Sequence, residues 1–302
     1  MRMATQTEAT GRMKVLNGYE AVPEALRGGA LAIGNFDGVH RGHQELLRET
    51  RRQAQFIDAP AGVMVFEPHP RAFFKPDEPL FALTPLSEKL RLFQALRLDF
   101  AAVLTFDEAM AGLSPEAFVE RILLAGLGVR HVVVGFDFYF GKDRAGTPAI
   151  LRALGAERDF GVTVIEPVAE AGEVLSSSAV RARLSTGDVR GAAHELGHWW
   201  RVRGPVTGGA KRGTGMGFPT ANITLSPGTA LGHGIFAVHV TVDGRRLDGA
   251  AYFGQRPTFD NGAPVLEVFL FDFDDDIYGR EIEVEFIGFV RPDQRFADLE
   301  AL

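Results

Sequence analysis

The chain has 302 residues, 46% of them hydrophobic, and a formal net charge of −7 at pH 7. That length supports two domains with sizeable cores. The acidic balance and the lack of a long Lys/Arg run argue against a nucleic-acid binder; the absence of cysteine removes disulfide and thiol chemistry and fits the reducing cytoplasm. No apolar run approaches membrane-spanning length, so no membrane partner is expected. Residues 1–12 are polar, lack the apolar core of a signal peptide and read as a disordered extension, with Met13 opening the first hydrophobic segment.

The apolar run Leu31–Ile33 predicts a buried strand, Gly34, Asn35, Asp37 and Gly38 a turn, and the residues from Arg41 onward, with Leu46 and Leu47, an amphipathic helix. A strand that feeds through a glycine turn into a helix aims backbone N–H groups and a positive helix end at one spot, which makes an anion site. His40 and His43 stand three residues apart across the helix start and reach the same anion, while Gly42 leaves the backbone uncrowded. Such a site suits nucleotidyl transfer: a phosphate attacks the α-phosphorus of ATP, pyrophosphate leaves, and positioning with charge stabilisation carries the rate. A zinc pair or a structural surface pair is the other reading. Zinc needs at least a third protein ligand, and the chain offers neither cysteine nor an H-E-x-x-H pattern.

A second strand, Ala61–Phe66, stops at Glu67-Pro68-His69-Pro70, a rigid loop where ligand contacts gather in open α/β sheets. Leu83–Leu98 predicts a helix capped by Thr84 with Pro85 in its first position. A strand over Phe100–Leu104 and a helix from Ser114-Pro115-Glu116 to about Leu124 follow, then the valine-rich strand His131–Val134. The alternation predicts a parallel, doubly wound sheet. Gly135 to Gly146 then places four aromatics, among them Phe138 and Phe140, between glycines and a Lys-Asp-Arg run; the aromatics serve either as core or as flat faces for a ring system. After a strand at Val162–Ile165, Ser176, Ser177 and Ser178 precede Arg181 at a helix start, which reads as an ordinary cap with a solvated arginine or as a second phosphate cradle.

A connecting helix, Gly187–Gly197, has Asp188 as its cap and Val189, Ala192, Ala193 and Leu196 as its apolar stripe. From Trp199 the texture changes to short alternating strands (Arg201–Gly204, Ile235–Val242, Leu247–Tyr252, Leu266–Phe271, Glu281–Phe289), which predict a small antiparallel barrel and a domain boundary near Thr186. A glycine-dense, basic stretch from Gly204 ends in Thr220 and Asn222, two apart and therefore on one side of an extended segment. Oxygen donors of that kind, with phosphate oxygens and water, suit Mg²⁺; a flexible glycine loop is the alternative.

Gly34-Asn35-Phe36-Asp37-Gly38-Val39-His40-Arg41-Gly42-His43 resembles the G-x-F-D-G-x-H-x-G-H signature of the nucleotidyltransferase superfamily, in the form carried by bacterial bifunctional riboflavin kinase/FAD synthetases (FMN adenylyltransferases). Pro68-His69-Pro70 is similar to that family's F-x-P-H-P, Gly135–Gly146 to its G-x-D-F-x-F-G-x-x-R-x-G, and Leu175–Arg181 to its I-S-S-T-x-I-R, with Ser178 for threonine and Val180 for isoleucine. Gly217-Phe218-Pro219-Thr220-Ala221-Asn222 resembles the riboflavin kinase motif G-F-P-T-A-N, and Leu266–Phe273 its L-E-V-H-L-x-D-F. The resemblance runs from about Met13 to Leu302 and implies a Rossmann-like nucleotidyltransferase domain (13–186) followed by a Greek-key barrel kinase domain (187–302). It implies that the second domain phosphorylates riboflavin with Mg-ATP, Glu267 taking the 5′-hydroxyl proton and Thr220 and Asn222 holding metal and phosphates. The first domain would then adenylylate FMN, with His40, His43, Ser177 and Arg181 stabilising the transition state. The implied nucleotide contacts are Gly34, Asn35, Phe36, Asp37, Gly38, Ser176, Gly213, Gly217 and Pro219; the implied flavin contacts are Pro68, His69, Asp137, Phe138 and Phe140. Tyr252, Phe236 and Thr214 stand where the family has asparagine, tyrosine and arginine, and the chain ends where the family continues into a C-terminal helix. An adenylyltransferase with a degenerate, flavin-binding kinase domain is the rival expectation. Either would be a cytoplasmic enzyme of small molecules, a monomer or weak homo-oligomer.

Overall fold

The structure is a computed structural model that describes residues 12–170, 172–207, 220–225, 228–255 and 264–293. The expectations for the N-terminal extension, for Gly213, Thr214, Gly217 and Pro219, and for a C-terminal helix lie outside those residues. Compactness divides the chain into two units, Met1–Glu78 with Thr84–Val174, and Pro79–Leu83 with Leu175–Leu302.

The first unit contains β1 (Lys14–Asn17), β2 (Ala30–Ile33), α1 (Arg41–Phe56), β3 (Ala61–Glu67), α2 (Pro70–Phe74), α3 (Leu86–Ala95) and β4 (Phe100–Thr105). It continues with α4 (Glu108–Ala111), α5 (Pro115–Phe118), β5 (His131–Gly135), α6 (Pro148–Arg158), β6 (Gly161–Ile165) and the small hairpin β7 (Ala169–Glu170) and β8 (Glu173–Val174). Six of these strands form one sheet in the order β1-β4-β3-β2-β5-β6, every pairing parallel. The central strands are buried on both faces because their residues divide between two cores. Ala30, Ala32, Val63 and Val65 meet Leu46 and Leu47 of α1 and Phe93 of α3 on one side. Leu31, Ile33 and Met64 meet Phe118, Ile122, Leu151 and Leu154 on the other. Chain order reverses between β2 and β5, which opens the crevice at their carboxyl ends where ligands of such sheets bind. Ser114 caps α5 by accepting from the Ala117 N–H, with Pro115 in the first turn, and Val119–Gly126 extends it with a wider, π-type pitch. The cap expected at Thr84 does not form: α3 starts at Leu86 behind Pro85, because the Thr84 hydroxyl is engaged by the loop after β2.

The second unit contains α7 (Ser177–Ser185), α8 (Val189–Leu196), β9 (Arg201–Thr207), β10 (Thr220–Ile223), β11 (Gly234–Val242), β12 (Arg245–Gln255), β13 (Pro264–Leu270) and β14 (Glu281–Arg291). Its strands close into an antiparallel barrel in the order β10-β13-β12-β11-β14-β9. Alternate residues such as Ala221, Ile223, Leu266, Val268, Val238, Val240 and Phe286 fill the interior. Phe236 is fully buried there against Phe286 and Phe289, so a ring without a hydroxyl suits its place. Asp188 caps α8, whose buried face adds Glu195, paired with Arg183, to Val189, Ala192 and Leu196. Phe81 and Leu83 join this core, and the Trp200 indole N–H donates to the Leu83 carbonyl (3.0 Å).

Candidate active site

The loop after β2 carries the first set of candidates. Phe36 and Val39 both sit at positive φ (49° and 44°), and Gly38 at 84°. Such a backbone is costly for a β-branched residue, and burial holds it: Phe36 is 1% exposed and Val39 0%. Gly38 supplies the conformation without that cost, and its N–H donates to Thr84 Oγ1 (2.8 Å). Buried Asp37 accepts from the Thr84 N–H (3.1 Å) and from its hydroxyl (3.4 Å), so Asp37 braces the loop from inside. Gly34 and Asn35 remain half-buried at the strand end.

His40 is the cap of α1: its Nδ1 accepts from the His43 N–H (3.3 Å), which leaves the proton of a neutral ring on Nε2. The two imidazoles stack with centroids 3.6 Å apart, and Phe36 meets His43 edge-on at 5.2 Å. Burial pushes His40 down to about 4, against the opposing pull of Asp37. Burial, then His40 and Lys89, hold His43 well below the usual histidine range. Both rings are therefore neutral donors at neutral pH. His43 Nδ1 is buried with no hydrogen-bond partner among the described residues, which marks it as a contact for something other than the fold.

At the other strand ends the expectations separate. His69 is the cap of α2, its Nδ1 accepting from the Arg71 N–H (3.0 Å), and Pro68 before it is exposed. Phe66, Phe73 and Phe74 converge on Phe106, an aromatic cluster drawn from three segments that the linear sequence did not join. After β5, Asp137 is exposed, Phe138 half-buried and Phe140 buried in the core on that side of the sheet. The Phe140 ring packs on Phe118 and lies where a side chain on Gly146 would stand, 2.6 Å from that Cβ position. The exposed aromatics of the run are Phe136 and Tyr139, the latter under the Arg144 guanidinium at 4.4 Å.

In the second unit Ser176 is the cap of α7, accepting from the Ala179 N–H (3.1 Å), with Ser177 in the first turn and half-buried. Arg181 donates through Nε to the Phe81 carbonyl (2.7 Å), which fixes the guanidinium. On the barrel, Thr220 and Asn222 face outward while Ala221 and Ile223 fill the interior. Asn222 lies directly opposite Glu267 of β13, and Glu267 opposite Tyr252 of β12. Cross-strand partners share a face, so three strands set an amide, a carboxylate and a phenol side by side outside the barrel. Glu267 is half-buried there, between the inward-pointing Leu266 and Val268, and the Tyr252 hydroxyl donates to Asp293 (3.2 Å). Among the described residues no group of three or more His, Asp or Glu is placed to hold a metal ion, so a cation at this face needs ligand oxygens beside the protein's.

Residues 22–179 match the family model for FAD synthetase, and residues 196–302 that for riboflavin kinase. A bifunctional riboflavin kinase/FMN adenylyltransferase of Pseudomonas fluorescens is 39% identical over 291 residues, covering 96% of this chain and 93% of that one. Relatives with the same name in Escherichia coli K12 (38%, covering 96% and 93%) and Bacillus subtilis 168 (35%, covering 94% and 91%) are similar. A crystal structure titled macrolide-efflux protein, from Streptococcus pneumoniae, superposes with a TM-score of 0.84 at 26% identity over 96% of this chain and 94% of that one. Among the described residues, no helix is long and apolar enough to cross a membrane. With both family models matched in sequence and relatives aligned over nearly its whole length, the chain belongs to the bifunctional riboflavin kinase/FMN adenylyltransferase family.

Proposed function

We propose that the chain converts riboflavin to FMN and FMN to FAD, each step consuming ATP. In the first step Glu267 removes the proton of the ribityl 5′-hydroxyl as its oxygen attacks the γ-phosphorus, and ADP leaves. Thr220 and Asn222, oxygen donors on the face that carries Glu267, fit a hard cation that also takes phosphate oxygens; Mg²⁺ bound there would neutralise charge on the transferring phosphate. In the second step a phosphate oxygen of FMN attacks the α-phosphorus of ATP and pyrophosphate leaves. His40 donates through Nε2–H, and His43 beside it, to the oxygens on which charge develops. Neutral imidazoles with fixed protons suit that role, since a donor already in place needs no reorganisation. Asp37 acts through Thr84 by holding the loop. Ser177 and Arg181 take the role of pyrophosphate contacts, in a reaction confined to small molecules in the cytoplasm by a monomer or weak homo-oligomer.

The observation that favours two activities over an adenylyltransferase with an inert partner is the register of β10 on β13. It sets Asn222 opposite Glu267 with Thr220 on the same face, an arrangement that flavin binding alone does not require. The test is an end-point chromatographic separation of flavins after incubation with ATP and Mg²⁺, once with riboflavin and once with FMN. FAD from both substrates is the expected result. FAD from FMN alone would refute the kinase assignment, and turnover of neither would refute catalysis.

A further inference from the structure

One buried cation of the first unit has no part in the chemistry above. Lys89, in the second turn of α3, is 5% exposed. It makes no hydrogen bond or ion pair with any described residue. Its neighbour one turn along the helix, Phe93, is fully buried and meets Phe36 edge-on at 5.6 Å; Phe36 in turn meets His43. Residues four apart share a helix face, so α3 presents Lys89 to the same loop that carries the histidine pair. The carboxylates acting on it are Asp37 and Glu67, neither within ion-pair reach, and Asp37 is already bonded to Thr84. Lys89 in turn acts on His43 as a neighbouring positive charge.

Burial of the lysine side chain to this extent strips hydration from its charge, and no carboxylate of the described residues pairs with it in return. A fold that keeps such a charge beside two neutral donors points to an anion as its partner. We propose that Lys89 is a phosphate-binding residue of the adenylyl-transfer site, its unpaired ammonium set by α3 against the Phe36–His43 loop to take an oxygen of the ATP triphosphate. The inference rests on the FMN adenylyltransferase reading of that loop.

The test compares wild type, Lys89→Met and Lys89→Arg in the full chain, measuring FAD formation from FMN with ATP and FMN varied separately. Riboflavin phosphorylation and the thermal midpoint are followed in the same preparations. Loss of a charge-assisted contact should lower kcat/KM for ATP about thirtyfold or more in Lys89→Met while the KM for FMN changes little. Lys89→Arg should recover at least about a third of the loss on a logarithmic scale, because it restores the charge. The thermal midpoint of Lys89→Met should not fall, because an unpaired buried charge has been removed. Unchanged kcat/KM for ATP in Lys89→Met would overturn the proposal, as would a loss that tracks a fall in the thermal midpoint and is not recovered by arginine. A wild type that forms no FAD from FMN would instead refute the adenylyltransferase reading itself.

Discussion

The two units place their candidate reactive groups by opposite means. In the first, a loop at the end of a buried parallel strand is forced into positive φ at Phe36 and Val39 and locked by buried contacts, and the histidines are desolvated donors. In the second, regular strands of a closed barrel present Asn222, Glu267 and Tyr252 on the outer, half-exposed face purely through register. A parallel sheet gives its strand ends to a ligand, so the loop must be held by strain and burial; a barrel gives its alternation, so pairing alone assembles the group. The first arrangement should therefore respond to changes in the supporting residues as well as in the reacting ones, and the second chiefly to the reacting ones.

The largest effect should come from the barrel. Glu267→Gln keeps shape and register but cannot accept the hydroxyl proton, so FMN formation should fall about a thousandfold to ten-thousandfold. FAD formation from supplied FMN should stay within about twofold of wild type. Steady-state assays of each half-reaction separate the two; a parallel fall in both would erase the division of labour between the units. Next comes His43→Ala, which removes one donor and its stacking partner. FAD formation should drop between about a hundredfold and a thousandfold, with FMN formation preserved. Equal loss of both activities would show that the loop supports the whole chain rather than one reaction.

The same contrast appears in the dependence of stability on pH. His40 has a folded pKa of about 4 against an ordinary value of 6.5, and His43 is shifted in the same direction. Between those values the unfolded chain binds more protons than the folded one, so stability rises with pH across the interval. The contribution is complete above about 6.5 and is lost as pH falls toward 4, amounting to roughly 3 kcal/mol for His40. Denaturant unfolding at a series of pH values should show this loss, and His40→Asn should flatten it. An unchanged slope in that variant would show that the imidazole is not the titrating group.

Much of this organisation is legible in the sequence, and particular residues explain where legibility stops. His40 and His43 announce themselves because a strand, a glycine turn and a helix follow within fourteen residues, Ala30 to His43. Spacing alone puts Thr220 and Asn222 on one face, and in β10 both face outward. Strand β1 has four residues, largely exposed, and pairs with β4 alone, so the hydrophobic segment that opens at Met13 carries no alternation to mark it as a strand. Periodicity also does not say which member of an aromatic run turns inward: Phe140 went to the core and Tyr139 to the surface. Glu267 is one of several strand glutamates until β10 is seen opposite it. Lys89 reads as a solvated helix charge within Glu88-Lys89-Leu90 until the packing of Phe93 on Phe36 shows which face of α3 is inside.

Thr84 is the residue whose pattern misleads most, and it yields the smallest but most discriminating prediction. Thr-Pro before an amphipathic run is a good cap signal, yet the hydroxyl accepts from Gly38 and donates to Asp37. Thr84→Val keeps size and branching and removes that oxygen, leaving the buried Gly38 N–H without its acceptor. The expected cost is about 1–3 kcal/mol of stability in the first unit. Because the loop sits at positive φ under constraint, release of the brace should also lower kcat for FAD formation about tenfold, as small displacements of positioned groups do. If Thr84 were a helix cap, Thr84→Ser would rescue stability, and Thr84→Val would leave kcat for the folded fraction unchanged. If it is the brace, kcat should fall in Thr84→Val even at temperatures where the protein is fully folded, and Thr84→Ser should restore it. FMN formation, measured on the same samples, should not move, because the barrel holds Asn222 and Glu267 by strand pairing.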